Sequence, residues 1–226
     1  MDTLLNNDFK TVSFNPDEKI KDLLAKFKEF HRGNDAKEIQ HLYKREYQGA
    51  VHTFAFEMYR FHYVRKTTES YTDSNGNRRT RTRRVSYYRH GILMNFPFAK
   101  SLCINSDSEI SHKGEKYTTA SNQFNRRFKV RTKDELQTAR FLTPAVIELL
   151  TQMDQLLKNL NIEITGQNEL CLSFDDDNLL KAKQVNDLSN PEAFAKEIAQ
   201  HAELKTLDTL LEHIHDLMRL SDNNFI

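Results

Sequence analysis

Hydrophobic residues recur at helical spacing near the start of the chain. The segment Asn15-Pro16-Asp17-Glu18 supplies a capping side chain, a proline for the first helical position and acidic residues for the first turn. An apolar stripe follows, made of Ile20, Leu23, Leu24, Phe27 and Phe30. This pattern predicts a helix that ends at Gly33-Asn34, and a second helix over about residues 35–43.

From Tyr47 the pattern changes to the alternation of strands, with many aromatic residues. Two such runs flank Asn75-Gly76, a dipeptide typical of tight β-hairpin turns. A two-residue turn at this dipeptide places Tyr63 opposite Tyr88 and Tyr59 opposite Ile92. Alternation then divides the hairpin into a basic face and an apolar core face, the latter made of Tyr59, Phe61, Tyr63, Tyr88, Ile92 and Met94.

Later segments alternate between short strands and helices. Strands are predicted within residues 98–106 and 124–132, and a hairpin is predicted from residues 162–164 and 169–174. A capping box at Thr132–Glu135 and a proline after Thr143 begin helices. Two C-terminal helical runs are predicted, the first from Asn190-Pro191-Glu192 and the second with leucines from Leu204 onwards.

Strands flanked by helices indicate an α+β fold. We expect an antiparallel sheet with a long basic β-hairpin, packed by helices from the N-terminal and C-terminal parts. The expected division of the chain is N-terminal helices over residues 1–46, an α+β core domain over residues 47–180 with the hairpin at residues 51–98, and a C-terminal helical segment over residues 181–226 that packs on the core.

Composition is that of a folded, water-soluble protein, with 38% hydrophobic and 29% charged residues. No apolar run approaches the ~18 residues of a spanning helix, and the first ten residues lack the features of a secretion signal. We therefore expect a cytoplasmic chain without a transmembrane segment, or a soluble piece of a larger protein.

Charge is unevenly distributed along the chain, although the formal net charge is only +1. Basic residues concentrate in the middle of the chain, most densely in RRTRTRR at residues 78–84, and acidic residues predominate toward the end. Guanidinium groups spaced along one face of a hairpin suit multidentate contact with phosphates. The predicted anion-binding set is Arg60, Lys66, Arg79, Arg81, Arg83 and Arg89, with Tyr87 on the same face as a base-stacking candidate.

An interpretation of the same cluster that involves no binding partner stays open. The hairpin tip can be a solvated surface kept soluble by its charge, or it can pair with the acidic C-terminal part of the same chain. Sequence alone does not decide between this and a docking surface.

Other chemistry-bearing residues form no recognisable site. Cys103 and Cys171 stand alone in apolar runs, which indicates buried, unreactive thiols. His213 and His215 are two residues apart on a predicted helix and so point to different faces. The acidic run that begins at Asp175 lacks the glycine and glutamate of a calcium-binding loop. No catalytic residue, metal site or cofactor is predicted.

Residues 124–153 resemble a bacterial family known only as domain-of-unknown-function family 3137. The resemblance rests on a Phe-x-x-x-Phe-x-Val strand followed by a Leu-Thr-Pro helix start, and the matching residues are Phe124, Phe128, Val130, Asp134, Ala139, Leu142, Thr143, Pro144 and Leu149. It extends well to about residue 175 and more loosely to Tyr47-x-Gly49. Members often carry two membrane-spanning helices ahead of this domain, so the resemblance implies a cytoplasmic domain presented at the inner membrane. It implies no catalytic residue.

These observations favour a non-enzymatic binding or scaffold module that uses the cationic hairpin face near the inner membrane. The expected partner is a protein or an anionic surface of lipid headgroups, and the expected location is cytoplasmic, at or near the inner membrane. Two alternatives stay open: nucleic-acid binding through the same hairpin, and an enzyme of unknown class. The leucine stripe of the C-terminal helices also offers an interface for an oligomer.

Overall fold

The computed structural model describes residues 7–107, 109–176, 179–180, 189, 192 and 204–222. Within these residues the strands are β1 (Lys10–Thr11), β2 (Lys37–Gln48), β3 (Thr53–Thr72), β4 (Arg78–Asn95), β5 (Leu102–Asn105), β6 (Glu115–Tyr117), β7 (Lys129–Thr132), β8 (Asn161–Ile164) and β9 (Glu169–Phe174). The helices are α1 (Pro16–Lys26), α2 (Asn122–Arg127), α3 (Glu135–Phe141), α4 (Pro144–Leu156) and α5 (Lys205–Ser221), and a 3-10 turn spans Lys28–His31.

All nine strands belong to one sheet, in the order β1-β2-β3-β4-β9-β8-β5-β7-β6, with antiparallel neighbours throughout. One face packs against α1 and the 3-10 turn, through a cluster that includes Leu23, Phe30 and Phe61. The other face packs against the remaining helices through the larger cluster. Helices thus cover both faces of the sheet, and the predicted α+β class is confirmed.

Helix α1 begins as its sequence predicts. The side chain of Asn15 accepts hydrogen bonds from the backbone N–H groups of Asp17 and Glu18, and Pro16 occupies the first helical position. Ile20 and Leu23 point into the smaller core. The helix and the 3-10 turn after it place Glu29 beneath the sheet, fully buried.

Two local predictions are wrong. Residues 35–43 are not helical, because they belong to the long strand β2, which pairs along β3. Phe124 does not lie in a strand but in the short helix α2, which Ser121 caps by accepting a hydrogen bond from the Phe124 N–H. In the first segment strand pairing overrides a weak local pattern, and in the second the Ser121 cap and the burial of Phe124 favour a helix.

The hairpin of β3 and β4 is one residue out of the predicted register. Tyr63 pairs with Tyr87, and Tyr59 pairs with Gly91. The Asp73 carboxylate accepts hydrogen bonds from the N–H groups of Asn75 and Asn77, and Gly76 has a φ of +79°. Ser74 therefore joins the loop, which gives three residues with glycine in the left-handed region instead of a two-residue turn.

That single extra residue changes which side chains share a face. Tyr59 and Tyr63 pack on the side of α1, whereas Ile92 and Met94 pack on the opposite side of the sheet, so both faces of the inner hairpin are core. Tyr88, predicted to be core, is 41% exposed.

Helix α5 buries its apolar stripe within its own chain. Its leucines join the larger core, and the helix packs against α4. The leucine stripe of α5, which the sequence suggested as an oligomer interface, is therefore buried in intramolecular contacts. The first C-terminal run, from Asn190-Pro191-Glu192, lies almost entirely outside the described residues.

Candidate functional site

The outer half of the hairpin extends beyond the core as an exposed two-stranded ribbon. Residues 66–72 of β3 and 78–84 of β4 are all exposed, whereas the inner halves of both strands are largely buried. At ~3.4 Å per residue the exposed part is roughly 20 Å long. We call residues 66–84 the basic ribbon, since the segment holds six cationic side chains and two acidic ones.

The six predicted anion-binding residues do not share one face. Arg79, Arg81 and Arg83 lie together on one face of the basic ribbon, as predicted. The corrected register moves Arg60 and Lys66 to the opposite face, where Lys66 pairs with Arg84. The basic ribbon thus presents positive charge on both of its faces.

Arg89 has a different environment from the other five. It is 1% exposed and lies at the inner end of the hairpin, so its predicted position on an exposed basic face is wrong. It lies on the same face as Arg79, Arg81 and Arg83, but there the sheet is covered by the 3-10 turn.

Within the described residues, few of the ribbon's charges are neutralised by ion pairs. Arg79 pairs with Asp73 at 2.6 Å and Arg84 pairs with Asp35 at 2.9 Å. Across the described parts of the chain, no ion-pair partner lies within 4.0 Å of Lys66, Arg78, Arg81 or Arg83. In the described residues, then, the acidic C-terminal part does not provide the ribbon's counter-charge.

The tyrosines at the base of the ribbon already have stacking partners. Tyr87 stacks on Tyr63 with ring centroids 5.3 Å apart, and the Arg65 guanidinium lies 5.2 Å from the Tyr87 centroid. Tyr88 stacks on His62 at 5.0 Å and carries the Arg60 guanidinium 4.3 Å from its centroid. Tyr87, the residue predicted to stack on a nucleic-acid base, is therefore already in contact with Tyr63 and Arg65.

A buried ion network holds the base of the hairpin to the 3-10 turn. Glu29 Oε1 accepts from Arg32 Nε at 2.7 Å and from Arg89 Nε at 2.8 Å, while its Oε2 accepts from Asn161 Nδ2 at 2.8 Å. Arg89 also binds Asp175 and donates to the Asn159 carbonyl at 2.9 Å. All these side chains except Asp175 and Asn159 are buried.

Electrostatics explain why this network stays ionised. Burial alone opposes ionisation of Glu29, but the guanidiniums of Arg89 and Arg32 outweigh it and lower the carboxyl pKa to about 2. Arg32 extends the network to Asp107, and its Nη1 lies 3.1 Å from Glu109. The network therefore fixes the hairpin to the domain, and its buried charges are matched.

Sequence reasoning missed a second polar cluster beside this network. Cys103 of β5, Glu163 of β8 and His112 of the β5–β6 connection lie together, and their ligand-type atoms are all within 4.8 Å of one another. Burial and the Glu29 carboxylate raise the pKa of Glu163 to about 7. No spacing motif could have revealed the group, because strand pairing brings Cys103 opposite Glu163 across 60 residues of chain.

A cleft of about 290 Å³ opens beside this cluster, with Cys103 and Glu163 in its wall. A larger cleft of about 320 Å³ lies between α1 and the sheet, and four of the charged residues in its wall form ion pairs, Lys19 with Glu57 at 2.9 Å and Lys26 with Glu169 at 2.7 Å. Of these two clefts in the described part of the chain, the first brings a thiol and a buried carboxyl from distant segments together.

Among the described residues, no helix has the length and apolar character needed to cross a bilayer. The fold and its surfaces define an α+β protein with a nine-stranded antiparallel sheet and a projecting cationic hairpin. Residues 89–218, more than half of the chain, match the family model described as "Protein of unknown function (DUF3137)", and the chain belongs to this family. The match begins at Arg89, after the basic ribbon. No curated protein and no solved structure matches the chain.

Proposed function

We propose that this protein is a binding module that docks its basic ribbon on the anionic headgroups of the cytoplasmic membrane surface. The observation that carries the proposal is the exposed ribbon itself, with Lys66, Arg78, Arg81 and Arg83 free of ion-pair partners among the described residues.

A rigid base supports this use of the ribbon. The inner hairpin is part of the sheet, and Arg89 ties it to the 3-10 turn through Glu29. The outer ribbon therefore projects from a fixed support. Exposed guanidiniums on both faces can contact phosphate groups around the ribbon, and each basic residue near an anionic bilayer contributes about 1 kcal/mol.

The tyrosine contacts favour headgroups over nucleic-acid bases as the ligand of the ribbon. Single-strand binding relies on aromatic faces that are free to stack, but Tyr87 and Tyr88 stack within the chain. The exposed aromatic residue farther out is Tyr71, 49% exposed and opposite Arg79. A tyrosine beside arginines suits the interface between water and headgroups.

The test is co-sedimentation of the full chain with vesicles of phosphatidylcholine alone and with added phosphatidylglycerol. Binding is expected only to the anionic vesicles, and it should weaken as salt rises. Replacement of Arg79, Arg81 and Arg83 by alanine removes about 3 kcal/mol of attraction, so affinity should fall on the order of 100-fold.

A charge-matched triple variant tests whether vesicle binding depends on the basic ribbon or on the positive charge of the protein in general. Lys116 of β6 and Lys129 of β7 are exposed at the edge of the sheet remote from β3 and β4, and the exposed Arg126 lies in α2, next to β7. Their replacement by alanine should therefore leave most of the binding. An equal loss in both triple variants, or no binding to anionic vesicles, contradicts the proposal. Salt-dependent binding to single-stranded or duplex DNA with no vesicle binding would assign the ribbon to nucleic acid instead.

A further inference from the structure

Three side chains of metal-ligand type meet in the interior beside the 3-10 turn. Cys103 and Glu163 are directly opposed in the β5–β8 pair, and His112 reaches them from the connection after β5. Their ligand atoms all lie within 4.8 Å of one another, and His112 Nδ1 is 3.8 Å from Glu163 Oε2. The set combines a thiol, an imidazole and a carboxylate from three different parts of the chain.

Hydrogen bonds fix the tautomer of His112 as the one whose Nδ1 can bind a metal. Asn161 Nδ2 donates to Glu29 at 2.8 Å and to Glu163 at 3.0 Å, so Asn161 Oδ1 is the acceptor that faces His112 Nε2 at 2.8 Å. Nε2 therefore carries the proton, and the lone pair of Nδ1 faces Glu163. Metal-binding histidines commonly donate their second ring N–H to an oxygen in this way.

Glu163 is fixed as firmly as His112. Its Oε1 accepts from the Glu29 N–H at 2.7 Å and its Oε2 accepts from the Lys28 N–H at 2.6 Å. These bonds hold the carboxylate at the start of the 3-10 turn, where Oε2 lies 3.8 Å from His112 Nδ1. Three potential metal ligands therefore lie together, and hydrogen bonds already hold the imidazole and the carboxylate in position.

We propose that Cys103, His112 and Glu163 bind a zinc ion. Zinc takes thiolate, imidazole and carboxylate ligands at about 2.0–2.3 Å, which places tetrahedral ligand atoms about 3.3–3.8 Å apart. A nitrogen and an oxygen ligand lie about 3.4 Å apart in such a site, so the 3.8 Å between His112 Nδ1 and Glu163 Oε2 must close by about 0.4 Å, and the widest separation in the set must close by about 1 Å. The cleft beside Cys103 and Glu163 leaves the fourth position to water.

Charge also favours a divalent ion. On binding, the sulfur–metal bond replaces the S–H bond and the proton leaves to solvent. Two negative ligands then balance the ion, while the neighbouring Glu29 is already balanced by Arg32 and Arg89.

Cobalt(II) gives a direct readout of this site. The full chain, without a histidine tag and stripped of metal with a chelator, is titrated with Co²⁺ while the near-ultraviolet thiolate-to-cobalt charge-transfer band is recorded. One ion per chain is expected, with the visible bands of tetrahedral cobalt, and Zn²⁺ should displace it. Cys103→Ala should abolish the charge-transfer band, and His112→Asn and Glu163→Gln should each weaken binding more than 10-fold.

Cys171 provides the matched control. It flanks Glu163 on the other side in β9, but its Sγ lies 3.3 Å from the Tyr59 hydroxyl and it is not part of the cluster. Cys171→Ala should keep the band. A band that survives Cys103→Ala or disappears in Cys171→Ala overturns the assignment. The unmutated chain gives a test that needs no variant to fold, because absence of a thiolate band at excess Co²⁺ also overturns it.

Discussion

Replacement of Arg89 by methionine distinguishes a structural guanidinium from a docking one. The substitution keeps much of the side-chain volume and removes a group that is 1% exposed. Glu29, which is 0% exposed, then keeps Arg32 but loses the donor at 2.8 Å, and the Asn159 carbonyl loses its donor at 2.9 Å. Removal of one partner from a buried ion pair costs about 3–5 kcal/mol.

The assay is urea unfolding at neutral pH, followed by far-ultraviolet circular dichroism. Arg89→Met should lower the free energy of unfolding by about 3–5 kcal/mol. The matched control is Arg84→Met on the same strand, whose side chain is 64% exposed and pairs with Asp35. That control should lose less than about 1 kcal/mol.

A double-mutant cycle identifies the cause. Combination of Arg89→Met with Glu29→Gln should give a loss smaller than the sum of the two single losses, by at least about 1 kcal/mol, because the residues share one network. A loss in Arg89→Met no larger than in Arg84→Met, or strict additivity in the cycle, would refute the structural role. Folded Arg89→Met should also keep its affinity for anionic vesicles.

Further predictions follow from the core, the caps and the acid titration. Gly91→Ala should cost about 3 kcal/mol or more, because its Cβ would clash with the backbone carbonyl oxygen of Leu172 and lie 2.5 Å from the Tyr59 ring, whereas Gly166→Ala should be near neutral in the same urea assay. Thr143→Ala should cost about 1 kcal/mol through loss of the α4 cap, with Thr143→Ser as the control that keeps the hydroxyl. The pKa of Glu29 falls from an unfolded value near 4.5 to about 2 on folding, so this carboxylate stabilises the fold fully above pH ~4.5, and that gain is lost as pH falls toward 2. In Glu29→Gln, unfolding measured between pH 2 and 5 should depend less steeply on pH; an unchanged slope would contradict the network.

Local sequence signals account for elements whose stabilising contacts are local. The Asn15-Pro16 start of α1 and the Thr143-Pro144 start of α4 are found as predicted, because a cap and a proline act within one turn of helix. The Thr132 capping box is only partly right. Asp134 caps α3, and Thr132 Oγ1 accepts from the Asp134 N–H instead.

The hairpin shows where local rules stop. Asn75-Gly76 correctly predicted a turn, but the Asp73 side chain added Ser74 to the loop, and one residue moved Arg60 and Lys66 away from Arg79. Because strand side chains alternate with a period of two, an error of one residue changes the face of the whole partner strand. The Asn-Gly rule specifies only that a turn forms, so it could not predict which face of the hairpin each guanidinium occupies.

By itself, the sequence determined the α+β class, the family, most helix starts and an Arg-rich hairpin, since these depend on spacing and composition over a few residues. Three features are evident only from the folded arrangement: Arg89 is buried against Glu29, the ribbon is charged on both faces, and Cys103, His112 and Glu163 meet. These features come from strand pairing between segments far apart in the chain, which no local pattern encodes.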